Sequence, residues 1–499
     1  MTSRRDALKL AGLTAGAAAL GSASARAAPP ASSQTHSTTV SHDRGQIYAP
    51  GRPGSDYRPV DTPDGSTLPF TLKDGVKVFH LIAEEVDHEF APGLTGRCWG
   101  YNGQVHGPTI EAVEGDRVRI YVTNRLPAPT TVHWHGVILN SGMDGVGGLS
   151  QRTIQPGETF IHEWTFRQYG TFTYHAHHDE MTQMAMGLMG MIVVHPRRPA
   201  EPVPDRDFAL LLSTWKLRPG TRRPDPNEPT DFNILTLNAR AFPGTAPLVA
   251  QTGQRVRIRI GNLSAMHHHP IHLHGYAFEE IMTDGGLIPK SARRPETTTL
   301  VPVGATRTIE FVADNPGDWA MHCHMTHHVM NQMGHGIPNM VGVDPAGFGP
   351  QTATLVPAYM PMGQAGMGDM GAHIGAGHMA VPDNSIPMVG ARGPHDYMTM
   401  GGMFTLLKVR NALTSYADPG WYDDPVGMAR AARPEELMRD GIPALPATGQ
   451  AGHAGDHGTH GHGHGHREPS DPGGTHHGHG GHGPRHTSRG TGHDGHHDH

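Results

Sequence analysis

The chain has 499 residues, a formal net charge of −7, 40 histidines and only two cysteines. That length accommodates more than one domain. The acidic balance, with no basic and aromatic patch, gives no basis for nucleic-acid binding, and two cysteines exclude a disulfide framework.

The N-terminus reads MTSRRDALKLAGLTAGAAALGSASARAAPP. Arg4-Arg5, a modest apolar stretch and Ala25-Arg26-Ala27 predict an export signal of the twin-arginine type over residues 1–27. The expected location is the periplasm or the exterior. No later stretch is long and apolar enough to span a membrane, so no stable membrane insertion is expected. Cys98, in GRCWGYNG, is expected as a buried small residue or a free thiol. A Cys98–Cys323 disulfide is conceivable in an oxidising compartment, but it would consume the thiolate that gives the histidine motifs below their sense.

An internal repeat follows. GPTIEAVEGDRVRIYVTNRLPAPTTVHWHG matches APLVAQTGQRVRIRIGNLSAMHHHPIHLHG, and IQPGETFIHEWTFRQYGTFTYHAH matches LVPVGATRTIEFVADNPGDWAMHCH. Similarity at a fixed offset marks a duplicated unit. Short alternating strands separated by Gly and Pro turns predict an all-β fold of two β-sandwich domains, residues 70–200 and 205–345. The alternating run Met403–Val409, within an extension over 346–410, is placed as a late strand of the second domain.

Each repeat carries two histidine pairs: His133 with His135, His175 with His177, His272 with His274 (after His269), and His322 with His324. Spacing i,i+2 puts both rings of a pair on one face of a strand. A single pair reads more readily as a polar strand face than as a site. Four ordered pairs, one interrupted by Cys323, point to copper or zinc. Cys323 faces away from His322 and His324, so one strand can serve two metal centres.

The remaining segments are less defined. Residues 360–403, with YMPMGQAGMGDMGAHIGAGHM, suit either a flexible connector or thioether ligands for Cu(I). Residues 411–450 read as a loose or helical appendix. Residues 451–499 hold 15 histidines among Gly, Asp and Thr, a disordered tail able to capture metal.

With all four motifs in order, residues 75–345 resemble the multicopper oxidases, laccase-like enzymes built from cupredoxin-like Greek-key domains. The resemblance implies four coppers per protomer. His269, Cys323 and His328 would hold the type 1 copper, with Met333 as a weak axial ligand. His133 and His272 would hold type 2. His135, His175, His177, His274, His322 and His324 would hold the type 3 pair. Asp144 matches the family's acidic residue near type 2, suited to carrying protons. A second acidic residue of the family is replaced here by Met325-Thr326-His327, which leaves His327 or Asp179 as substitutes.

The implied reaction is reduction of O2 to water with four electrons taken one at a time. Phenols or aromatic amines are the expected donors. Cu(I) is the alternative, suggested by Met181, Met184, Met186, Met189, Met191, Met325 and Met330; no carboxylate cluster supports Mn(II). A copper nitrite reductase would need its His-Cys motif in the first domain. A non-enzymatic copper carrier would not need eight paired histidines. His177 and His269 are too close for a middle domain, so the chain resembles two-domain members whose cluster forms between subunits. A homotrimer is expected, with a compact monomer as the alternative.

Overall fold

The computed structural model describes residues 48–331, except 219 and 229, and residues 383–443, except 389, 425 and 426. The signal segment, Met333, most of the Met-rich stretch and the His-rich tail lie outside the described residues.

The first domain contains β1 (Phe70–Lys73), β2 (Val76–Ala91), β3 (Leu94–Tyr101), β4 (Ile110–Val113), β5 (Arg117–Asn124), β6 (Val132–His135), β7 (Thr159–Thr165), β8 (Gly170–Ala176), the short helix α1 (Glu180–Ala185) and β9 (Met189–His195). One sheet runs β1-β2-β5-β7 with β3 on β2, and the other runs β4-β9-β8-β6. The alternation of β5 explains the sandwich: Val118, Ile120 and Val122 are fully buried while the intervening residues are not. They pack into a core with Trp134, Trp164 and Tyr174.

The second domain contains β10 (Arg206–Trp215), β11 (Ile234–Leu237), β12 (Leu248–Gln251), β13 (Arg255–Asn262), β14 (His269–Leu273), β15 (Phe278–Thr283), β16 (Gly286–Leu287), β17 (Pro295–Glu296), β18 (Thr298–Val301), β19 (Thr306–Val312), β20 (Gly317–Cys323) and β21 (Phe404–Arg410). Its sheets run β11-β10-β13-β19-β15-β16, with β17 on β15, and β12-β21-β20-β14-β18. The wiring copies the first domain: β2-β5-β7 corresponds to β10-β13-β19, and β4-β9-β8-β6 to β12-β21-β20-β14. The fold is two cupredoxin-like sandwiches. β21 is thus the counterpart of β9, although it lies far later in the chain.

The domains pack through β8 against β13 and β19. β13 has the same Arg-Val-Arg-Ile pattern as β5 but is buried on both faces. Its Arg259 pairs with Asp207 at 2.8 Å and donates to Thr171 Oγ1 of the first domain at 2.9 Å. Around this polar contact Met189, Met191 and Val193 pack on Ala209, Leu211 and Leu263. Met186, Met189 and Met191 are therefore core residues rather than surface thioethers. Cys98 is a buried free thiol. Beyond residue 423, the described part holds the exposed helix α2 (Pro434–Arg439).

Candidate metal centre

Two equivalent asparagines prepare the histidine strands. Asn124 ends β5; its Oδ1 accepts from Leu126 N, and its Nδ2 donates to the Ala128 and Ile154 carbonyls. Asn262 ends β13 and does the same with Ser264 N and the His267 and Val301 carbonyls. Each folds the loop that delivers the next strand, β6 or β14. Each strand ends in a left-handed glycine, Gly136 or Gly275, with φ of 83° and 76°. A Cβ at Gly275 would lie 2.4 Å from the Trp319 ring, so only glycine fits there.

The strand register then assembles two four-imidazole sets. β6 pairs with β8 so that His133 faces His175, and β14 pairs with β20 so that His272 faces His322. In the first set His133 lies 5.4 Å from His175 and 5.3 Å from His177, ring centre to ring centre. His135 Nδ1 is 3.3 Å from His175 Nε2. In the second set His272 lies 4.7 Å from His274 and 5.5 Å from His324, and His274 Nε2 is 3.2 Å from His322 Nε2.

Carbonyl acceptors orient corresponding rings alike. His133 Nδ1 donates to Asp144 O at 2.8 Å, as His272 Nδ1 does to Thr297 O at 2.7 Å. His175 Nδ1 donates to Ala176 O at 3.0 Å, as His322 Nδ1 does to Cys323 O at 2.8 Å. Each bond leaves Nε2 as the nitrogen available to a metal.

Among the described residues, no hydrogen bond or ring contact joins the first set to the second. His135 instead lies against the Gly304 turn of the second domain, its Cε1 3.7 Å from where a Cβ would sit. His274 and His324 are exposed.

Carboxylates border the first set. Asp144 Oδ1 is 3.4 Å from His133 Nδ1. Its loop crosses so close to β6 that a Cβ at Gly145 would stand 1.7 Å from the Val132 carbonyl. Glu180 reaches His175 Nδ1 at 3.6 Å and His177 Nε2 at 4.0 Å. Asp179, the expected substitute acid, directly precedes Glu180, whose carboxylate is the one that reaches the set. The run HHDE offered the residue type and no means of choosing between the two positions.

A separate centre forms on the other face of β20. Cys323 Sγ is 3.3 Å from His328 Nδ1 and 3.6 Å from His269 Nδ1, and the two Nδ1 atoms are 3.1 Å apart. All three residues are buried. The His269 ring is fixed by Ser264 Oγ at 2.7 Å, and His328 Nε2 meets His267 Nδ1 at 3.0 Å. Burial pushes the Cys323 thiol up to about 12 and, with His328 close by, holds His269 well below the usual histidine range. A cation that binds there must displace the thiol proton. Two imidazoles and one sulfur suit copper. Ser264 and His267, both structural neighbours of this trio, carried no motif that separated them from the adjoining His-rich loop.

Two multicopper oxidase family models match residues 83–199 and 219–342, one for each domain. The chain belongs to the multicopper oxidase family. The family binds type 1, type 2 and type 3 copper, and the donor sets described above fit those ions. The chain is 28% identical to copper resistance protein A of Escherichia coli over 281 residues, covering 46% of this chain and 45% of the relative. It is 40% identical to an L-ascorbate oxidase of Nicotiana tabacum over 137 residues, covering 26% and 23% of the two chains. A blue copper oxidase structure from Nitrosomonas europaea aligns with a TM-score of 0.49 at 24% identity, covering 74% of this chain and 95% of that one. The chain spans less than half the length of these curated relatives. No helix among the described residues is long and apolar enough to cross a membrane.

Proposed function

We propose that the protein is a copper-dependent oxidase that takes electrons singly from a small donor and reduces O2 to water. The observation that carries this reading is the position of Cys323. It completes a buried His–Cys–His trio, while its neighbour His322 lies in an imidazole set on the opposite face of the same strand. When bound, copper supplies one-electron exchange at the trio and multi-electron reduction of O2 at the imidazoles. Cys323, His269 and His328 would hold the type 1 ion, with Met333 as a weak further ligand. His133 and His272 would hold type 2. His135, His175, His177, His274, His322 and His324 would hold the type 3 pair.

The chain's own groups do the rest. The covalent links from Cys323 to His322 and to His324 join the two centres along the chain. The carbonyls of Asp144, Thr297, Ala176 and Cys323 hold four of the rings in one tautomer. The Asp144 carboxylate is placed to take and release protons at Oδ1 beside His133. Ala176 stands where Cys323 stands in the other domain, which disfavours a nitrite reductase with its cysteine site in the first domain.

Among the described residues no hydrogen bond or ring contact joins the two imidazole sets, and His274 and His324 of the second are exposed. This supports a cluster completed between copies, with a homotrimer as the closed arrangement. The N-terminal twin-arginine pattern supports export to the periplasm. Phenols or aromatic amines are the default donors. A second reading, oxidation of Cu(I), is favoured by Met266 and Met325, both exposed and each close in sequence to a ligand of the trio.

The deciding experiment is copper analysis with visible and EPR spectra of the loaded protein. Four coppers per protomer and an intense blue band are expected. Cys323→Ser should remove both the band and turnover. A C323S protein with full oxidase activity would overturn the type 1 assignment.

A further inference from the structure

The atoms that converge in the trio are Cys323 Sγ and the Nδ1 atoms of His269 and His328. The far nitrogen of each ring points away from the trio. For His269 that nitrogen meets a serine hydroxyl; for His328 it meets a third imidazole, His267, at 3.0 Å. The His267 and His328 rings are 5.1 Å apart and inclined by 31°. Phe232 stands edge-on to both, at 4.7 Å and 5.7 Å. Asn262 grips the His267 carbonyl at 2.9 Å. His328 is 1% exposed, whereas His267 is half-buried. His267 is thus a held group placed over the outer nitrogen of His328.

A metal-bound imidazole uses its remaining N–H as a hydrogen-bond donor. With Nδ1 on the metal, the Nε2–H of His328 is committed to His267 Nδ1. A phenol or aromatic amine that must hydrogen-bond to that N–H finds the place taken. We propose that His267 is a specificity-determining residue of the oxidation. It closes the outer edge of His328 to hydrogen-bonding organic donors and favours metal-ion donors that lose an electron by outer-sphere contact.

In that step one electron leaves the donor, Cu(I) becoming Cu(II). It reduces the Cu(II) held by Cys323, His269 and His328 to Cu(I). No bond is made or broken and no proton moves. The inference rests on the oxidase reading above and chooses between its two donor classes.

The test uses the full-length, copper-loaded protein with His267→Ala and His267→Gln. Bleaching of the blue band is followed anaerobically by stopped flow, with 2,6-dimethoxyphenol and with hexacyanoferrate(II) as separate donors. H267A should raise the phenol rate constant about tenfold, the worth of one hydrogen bond of ordinary net strength. The hexacyanoferrate(II) rate should change much less. H267Q should behave as wild type, because its amide oxygen can accept the same N–H. An unchanged or lower phenol rate in H267A overturns the proposal, as does an equal gain for both donors. Loss of the blue band in H267A with its retention in H267Q makes His267 a support rather than a selector, and also overturns it. A loaded wild-type protein with no blue band overturns the oxidase reading as well, which separates the two failures.

Discussion

Ala176 and Cys323 occupy equivalent positions in the two repeats, and a single side chain separates a structural strand end from a metal ligand. Both backbone carbonyls accept a hydrogen bond from the preceding histidine. Only the thiol adds a donor to the opposite face. His175 therefore serves the imidazole set alone. His175→Ala should keep the blue band and its anaerobic reduction by a small donor, and should lose reoxidation by O2. Stopped-flow recovery of the band after mixing with O2 measures this, and normal recovery would remove His175 from the cluster.

Strand periodicity made the donor residues legible, because i,i+2 spacing fixes which side chains share a face. The asparagine before the first pair of each repeat also stands in the sequence, and its clamp now has a physical role. Periodicity does not say what covers a face. β5 and β13 share the Arg-Val-Arg-Ile pattern, yet only β13 is covered on both sides, and its Arg257 and Arg259 become buried ion pairs. Glu180 and His267 escaped for the same reason: their importance lies in a neighbour brought in by packing. The Arg259–Asp207 pair, with side chains 2% and 3% exposed, allows a direct test. Asp207→Ala leaves an uncompensated buried guanidinium and should cost roughly 3–5 kcal/mol in denaturant unfolding. A loss under about 1 kcal/mol, the worth of an exposed pair, would show that water reaches Arg259.

Two further histidines join the domains. His88 Nε2 donates to the Ala239 carbonyl at 2.7 Å, and His106 Nε2 bonds Ser213 Oγ at 2.8 Å. Burial pushes them down to about 4 and about 3, so both are neutral in the folded state. Folded values below the unfolded one mean that their contribution is complete above about pH 6.5. It is lost as the pH falls towards the folded values, because only the unfolded chain gains protons. Between pH 7.5 and 5, His88 should account for a loss on the order of 2 kcal/mol. His88→Gln should flatten the pH dependence by that amount in denaturant titrations; an unchanged slope would mean that His88 is protonated in the fold. Between whole chains, mixing and reassembling a His175→Ala protein with a His322→Ala protein should restore part of the oxidase activity. A fully active monomer with four coppers, seen by sedimentation at low concentration, would refute the shared cluster.

β9 begins soon after β8, Ala176 to Met189, whereas its counterpart β21 begins only at Phe404 after β20 ends at Cys323. The connection is roughly sixfold longer. It separates two kinds of completeness along the chain. By Asn331, synthesis has delivered all eight paired imidazoles and the whole His–Cys–His trio. The strand that lies between β12 and β20 has not yet been made. Met403, whose amide and carbonyl bond His328 O and Cys323 N, is also still to come. A nascent chain can therefore possess its donor atoms before it possesses the wall that spaces them.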